Sequence, residues 1–190
     1  MPKTAKKNTI WIALFRGINV GGNNLMPMKA LVALLEKSGG SAVKTYIQSG
    51  NAVFLHAESD AAALTAKIAK AVEKEFGFAP RLMLLTQQEL ENAAKASPYP
   101  QADAVPTSLH VAFLSHQPTS PKLDELKKVK AASEEFALGE CVFYLYTPAG
   151  FGTSKLGERF ERLLGVAATA RNWNTVTKLR ELARAAAEEK

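Results

Sequence analysis

Thr9-Ile10-Trp11-Ile12-Ala13-Leu14-Phe15 is a short apolar run rich in β-branched and aromatic residues, the signature of a strand. A sheet with one face in water alternates apolar and polar residues. This run does not alternate, so it reads as a central strand covered on both faces. Leu109 to Leu114 repeats the pattern, broken only by His110. Such strands argue against an open, base-stacking sheet of the kind RNA-recognition domains use.

Outward from the first strand, a Gly- and Asn-rich loop (Arg16 to Asn24) leads to a helix. Pro27 suits its first turn, Met28, Leu31, Val32 and Leu35 form its apolar stripe, and Gly39-Gly40 end it. Two strands follow, near 43–48 and 51–56, around a two-residue turn at Ser49-Gly50. Asp60 caps a second helix that buries Leu64, Ile68 and Val72. A fourth strand covers about 81–85, and Thr86-Gln87-Gln88-Glu89 is a capping box that opens a short helix. The order β-α-β-β-α-β then recurs: a strand near 108–114, a helix from Ser120-Pro121, strands near 135–138 and 141–146, a helix from Ser154, and an edge strand near 167–171. A last helix runs from Asn174 to Ala187. The expected fold is α+β: two ferredoxin-like βαββαβ subdomains, antiparallel sheets packed with helices, plus a C-terminal helix. The expected division is a basic tail over 1–8, a first subdomain over 9–96, a Pro-rich linker over 97–106 and a second subdomain over 107–190.

The net charge is +6, and Lys3, Lys6 and Lys7 of the tail supply half of it. The remaining excess is compatible with an anionic partner. The single cysteine, Cys141, cannot form an internal disulfide, which fits a reducing, cytoplasmic location. It heads an apolar strand-like run and is expected to be a buried structural thiol. No apolar stretch is long enough to span a bilayer, and no small-residue cleavage site follows the tail. No membrane partner is therefore expected.

Three segments carry more Gly, Asn, Gln, Arg and Lys than connectors need. In the first, Arg16, Asn19, Gly21, Gly22 and Asn23 combine a cationic fork with glycines that let backbone approach a ligand. The alternative is a structured turn that needs positive φ at Gly21 and Gly22. In the second, Gln48, Ser49 and Asn51 either fix a hairpin turn or present amides to a ligand. The third is bipartite. Ser154 and Lys155 start one helix, where Ser154 also suits a simple cap. Arg171, Asn172, Asn174, Thr175 and Lys178 gather around Trp173 at the mouth of the last helix. G-x-G-x-x-G, G-x-x-x-x-G-K-[ST] and G-x-S-x-G are all absent. His56, His110 and His116 lack metal-ligand spacing, so no metal site is expected.

Together these segments carry a resemblance. Arg16-Gly17-Ile18-Asn19-Val20-Gly21-Gly22, Thr45-Tyr46-Ile47-Gln48-Ser49-Gly50-Asn51, Ser154-Lys155-Leu156 and Arg171-Asn172-Trp173-Asn174-Thr175-Val176 with Lys178-Leu179 resemble the motifs of a mainly bacterial family, domain of unknown function 1697. The resemblance runs from about residue 9 to 185. It implies a duplicated ferredoxin-like architecture, and it implies no reaction, cofactor or catalytic residue.

Three functions stay open. The first is a binding module for an anionic small molecule, nucleotide or nucleic acid. The second is an enzyme acting on a small phosphorylated or carboxylated metabolite. The third is an interaction protein whose motif residues only brace turns. No cofactor and no oligomeric state is implied. Taking strands one and three of each unit as parallel, the Arg16–Asn24 loop and the Gln48–Asn51 hairpin are expected at opposite ends of their sheet. Arg171–Thr175 is then expected at the hairpin end of the second unit, and a single site would require the cleft between the halves.

Overall fold

The computed structural model describes residues 8–188; the tail expected over 1–8 lies outside them except for Asn8. The first four-stranded sheet consists of β1 (Thr9–Arg16), β2 (Ser41–Tyr46), β3 (Asn51–His56) and β4 (Arg81–Thr86), with α1 (Met28–Lys37) and α2 (Ala61–Phe76) between them. Its spatial order is β2-β3-β1-β4, and all neighbours are antiparallel. After α3 (Gln87–Lys95) the scheme repeats with β5 (Leu109–Leu114), α4 (Leu123–Val129), β6 (Glu135–Leu138), β7 (Val142–Tyr146), α5 (Lys155–Leu164) and β8 (Ala168–Asn172). The second sheet has the equivalent order β6-β7-β5-β8. A C-terminal helix, α6 (Trp173–Glu188), follows. This is the ferredoxin-like duplication that the element order implies.

Two compact units result. The first comprises 8–91 together with 178–188, and the second comprises Asn92–Thr177. The division falls inside α3 and α6, not in the Pro-rich stretch. That stretch forms two 3₁₀ turns, Pro100–Asp103 and Pro106–Ser108, and buries Tyr99 and Ala102. Tyr99 stacks on Tyr146 with ring centroids 5.5 Å apart, so the prolines shape a packed segment of the second unit.

Each core follows from periodicity. In the first unit Trp11, Ala13 and Phe15 of β1 share a face with Ala52 and Phe54 of β3. They pack on Leu31, Leu34 and Leu35 of α1 and on Leu64, Ile68 and Val72 of α2. Ile10, Ile12 and Leu14 point the other way and are equally buried, so β1 is covered on both faces as its unbroken apolar run requires. In the second unit Ala112, Leu114, Phe143 and Leu145 pack on Leu156, Phe160, Leu163 and Leu164 of α5. Truncating one such core residue, as in Ile68→Ala, costs about 2–5 kcal/mol.

The Asp60 and Thr86/Glu89 signals act as read, whereas α4 starts at Leu123, past Ser120-Pro121, with no side-chain cap. Asp60 accepts from Ala62 N at 2.8 Å and Ala63 N at 3.1 Å, and Gly77 closes α2 at φ 77°. Thr86 and Glu89 exchange hydrogen bonds, Thr86 N to Glu89 Oε2 at 2.7 Å and Glu89 N to Thr86 Oγ1 at 3.2 Å. At the C-terminal end, Arg180 and Arg184 of α6 both donate to Glu91 of α3, at 2.9 and 2.8 Å. The two guanidiniums hold the Glu91 carboxyl down at about 2.

Three expectations are corrected. β1 and β3 are antiparallel, with Leu14 opposite Asn51. A helical crossover makes β1 and β2 run the same way, and the hairpin then reverses β3. The β2–β3 turn is a four-residue loop, Ile47 to Gly50, because Ile47 already leaves the strand at φ 51°. Cys141 is exposed rather than buried. It occupies the β6–β7 turn at φ 51°, and the strand begins only at Val142.

Candidate functional site

Antiparallel pairing of β1 and β3 puts the exit of β1 beside the entry of β3. The Arg16–Asn24 loop and the 47–50 hairpin loop therefore share one end of the first sheet, and they are tied together. Phe15 N donates to Gly50 O at 2.8 Å. Asn19 Nδ2 donates to Met26 O at 2.9 Å and to Gln48 O at 3.0 Å, while Asn19 Oδ1 accepts from Met26 N at 2.7 Å. Asn19 takes φ 53°, a left-handed conformation that Asn tolerates better than most residues. One side chain thus spans both motifs.

Within the loop, Gly21 and Gly22 have φ 58° and 77°, the pair of positive values that a tight primed turn needs. Asn23 N closes this turn onto Val20 O at 3.0 Å, and the Asn23 side chain reaches Gly21 O only at 3.5 Å. Asn24 Nδ2 donates to Gly17 O at 2.8 Å. In the hairpin, the fully buried Asn51 donates to Tyr46 O at 3.1 Å and Ser49 Oγ at 3.0 Å. Gly50 has no room for a side chain: at φ 77°, an added Cβ would sit 2.7 Å from Phe15 Cβ and nearer still to Ile18 Cδ1. Asn19, Asn24 and Asn51 therefore act as internal braces, as their turn-fixing alternative requires.

What this braced end shows to solvent is unusual. Val20 is 64% exposed, Leu25 64% and Ile47 51%. Ile47 is β-branched and left-handed, a combination that costs of order 1–3 kcal/mol and persists only where surroundings impose it. The Gln48 side-chain amide beside it is exposed and makes no hydrogen bond among the described residues.

Arg16 and Arg81 are direct cross-strand partners at this end of the sheet. Residues directly opposite one another share a face, so both point away from the α1/α2 side. The next row inward on that face is Tyr46, Asn51, Leu14 and Met83. Arg81 is exposed, while Arg16 is half-buried and engaged with neighbouring groups. Lys178 of α6 bonds Glu181 at 2.8 Å, which raises its pKa, with a smaller contribution from Tyr46. The α6 lysine therefore belongs beside this hairpin.

The remaining motif residues lie in the second unit. There β5 and β8 are antiparallel, with His110 opposite Asn172, while the β6–β7 turn lies near Phe113 and Leu114. Arg171–Thr175 thus sits at the end away from its hairpin, contrary to the expectation drawn from parallel strands. It shares that end with the loop from Thr147 to Ser154. Ser154 caps α5 by accepting from Gly157 N at 2.9 Å, and Asn172 caps α6 by accepting from Thr175 N at 2.9 Å. Thr175 is buried. Arg171 Nη1 donates to Ala170 O at 2.9 Å and is engaged with further groups. Lys155 and Asn174 are exposed.

The candidate residues thus separate by unit. Arg16, Asn19, Gly21, Gly22, Asn23, Gln48, Ser49, Asn51 and Lys178 belong to the first, and the other six to the second. Sequence reasoning did not select Val20, Leu25, Ile47, Tyr46 or Arg81. The register that pairs Arg81 with Arg16 could have found that arginine. An open cavity of about 470 Å³ lies elsewhere, between α1 and α2, lined by Leu34, Lys37, Lys67 and Lys74 among others, and contains no motif residue.

Among solved structures, a conserved bacterial protein from Streptococcus pneumoniae is similar, with TM-score 0.71 at 22% identity, covering 93% of this chain and 99% of that one. At this identity the likeness shows the fold. No curated protein sequence matches the chain. Residues 9–144, which include the first two motifs, match the family described as protein of unknown function (DUF1697), and the chain belongs to that family.

Proposed function

We propose that the chain is a cytoplasmic binding protein whose ligand surface is the loop end of the first sheet. Its ligand is anionic with an apolar face: a nucleotide or a short single-stranded nucleic acid. One observation carries this reading. The Asn19 bridge locks two loops into a single surface that exposes Val20, Leu25 and Ile47 beside the opposed Arg16–Arg81 pair. The exposed Arg81 guanidinium offers an arriving phosphate charge-assisted hydrogen bonds. The apolar trio offers a surface for a base, and the Gln48 amide a donor and an acceptor for its edge.

Fluorescence anisotropy with labelled single-stranded RNA and DNA across a salt series tests the reading. Saturable binding that weakens with salt and falls in Arg81→Ala is expected. Salt-independent binding, or none at low salt, would remove the phosphate from the account and leave the apolar trio as a docking surface for protein.

A further inference from the structure

In the second unit, His110 Nδ1 and Thr147 Oγ1 are buried side-chain atoms without a hydrogen-bond partner among the described residues. Thr147 is 1% exposed. Buried polar groups are nearly always paired, because an unpaired one forfeits its hydration. These two belong together. His110 lies opposite Leu145 on β7. Thr147 extends that strand by two residues, its N–H donating to Ser108 O at 2.7 Å. The two-residue period puts Leu145 and Thr147 on one face, so His110 and Thr147 are diagonal neighbours on it.

Phe151 covers the imidazole. Its ring stacks on the His110 imidazole at 4.1 Å and 21°. The ring also lies against Gly157, where an added Cβ would come within 3.1 Å of Phe151 Cε2. The ring thus rests in a slot that a glycine keeps open. It rides on a short 3₁₀ turn, Phe151–Thr153, just after Gly150, which has φ 111°. Burial holds the imidazole neutral, lowering its pKa to about 4. A neutral imidazole and a hydroxyl together offer donors and acceptors without charge.

We infer that His110 and Thr147 form the floor of a second binding site, closed by Phe151, which takes an uncharged hydroxylated group such as a small sugar or polyol. Adjacent hydroxyls donate and accept at once, as this floor requires. A charged ligand would meet the same desolvation that keeps the imidazole neutral. The site is independent of the loop end of the first sheet and stands whether or not that surface binds nucleotides.

The test is side-chain nitrogen NMR of the histidine rings in the full chain, titrated with D-ribose and separately with glycerol. The His110 resonances are expected to move saturably while those of His56 and His116 stay. Thr147→Val, nearly isosteric, is expected to weaken the effect about tenfold, in line with one lost hydrogen bond. Phe151→Ala, which removes the cover, is expected to strengthen it. If neither polyol shifts His110 in the wild type or in Phe151→Ala, the pair accommodates at most water and the proposal fails. A shift that persists unchanged in Thr147→Val overturns it as well.

Discussion

Asn19 donates its side-chain amide to the backbone carbonyl of Gln48 at 3.0 Å, joining two sequence motifs that lie 29 residues apart. The same side chain also brackets Met26 through its N–H and its carbonyl. Asn19→Gly keeps the backbone at ease in its left-handed conformation and removes only the bridge. We expect a loss of about 2 kcal/mol, the sum of modest net contributions from the hydrogen bonds removed. Denaturant unfolding would measure it. Asn19→Ala is expected to lose more, because alanine resists φ 53°.

Ile47 stores strain at the hairpin tip. Ile47→Asn, which tolerates a left-handed backbone, should raise stability by about 1 kcal/mol. Because Ile47 is half exposed, little core packing is lost. The same substitution should weaken ligand binding by removing part of the apolar trio. A variant more stable and weaker in binding would follow the usual trade between stability and function. Thermal unfolding and anisotropy on the same sample decide it.

The fold was largely legible because its signals are local. The unbroken run Ile10–Phe15 announced a doubly covered strand, and Asp60 and Thr86/Glu89 announced helix starts through the hydrogen bonds they now make. What escaped depends on single backbone conformations and on strand direction. Hydropathy places Cys141 with the strand because it does not encode the residue's φ of 51°. Parallel β1 and β3 would set the Arg16–Asn24 loop and the Gln48–Asn51 hairpin at opposite ends of the sheet; the antiparallel pairing brings both to one end. Asn19 and Asn51 are residue types suited to ligand contact, yet their amides bond the protein's own backbone and the Ser49 hydroxyl. Residue type alone does not separate a brace from a ligand contact.

Glu91 receives both Arg180 and Arg184, which ties α3 to the end of α6. Its carboxyl is held down at about 2, from an ordinary 4.5. The folded state therefore keeps Glu91 ionised where the unfolded chain takes up a proton. The stabilisation is complete above about pH 4.5 and is lost as pH falls toward 2. Glu91→Gln should lower stability at neutral pH by about 2–3 kcal/mol, since it leaves two guanidiniums without their shared partner. The difference from wild type should shrink in acid. Urea midpoints across that range test the sign.

His110 carries the opposite charge change but the same direction with pH. Burial lowers its pKa from 6.5 to about 4, so the unfolded chain binds a proton in that window that the folded chain refuses. Stability from this group is complete above pH 6.5 and falls as pH drops toward 4, by roughly 3 kcal/mol in all. His110→Phe removes the titrating group while keeping a ring against Phe151, and should flatten the pH dependence between those values. A profile identical to wild type would show that His110 titrates normally.

The central claim is that the braced loop end of the first sheet contacts the ligand. The most direct test is a backbone amide shift map of the whole chain with a mononucleotide and then with a short single-stranded RNA. The account predicts that the saturable shifts cluster at Val20, Leu25, Ile47, Gln48 and Arg81, and that Arg81→Ala weakens them. Saturable shifts confined to other surfaces, or none with either ligand, would contradict it.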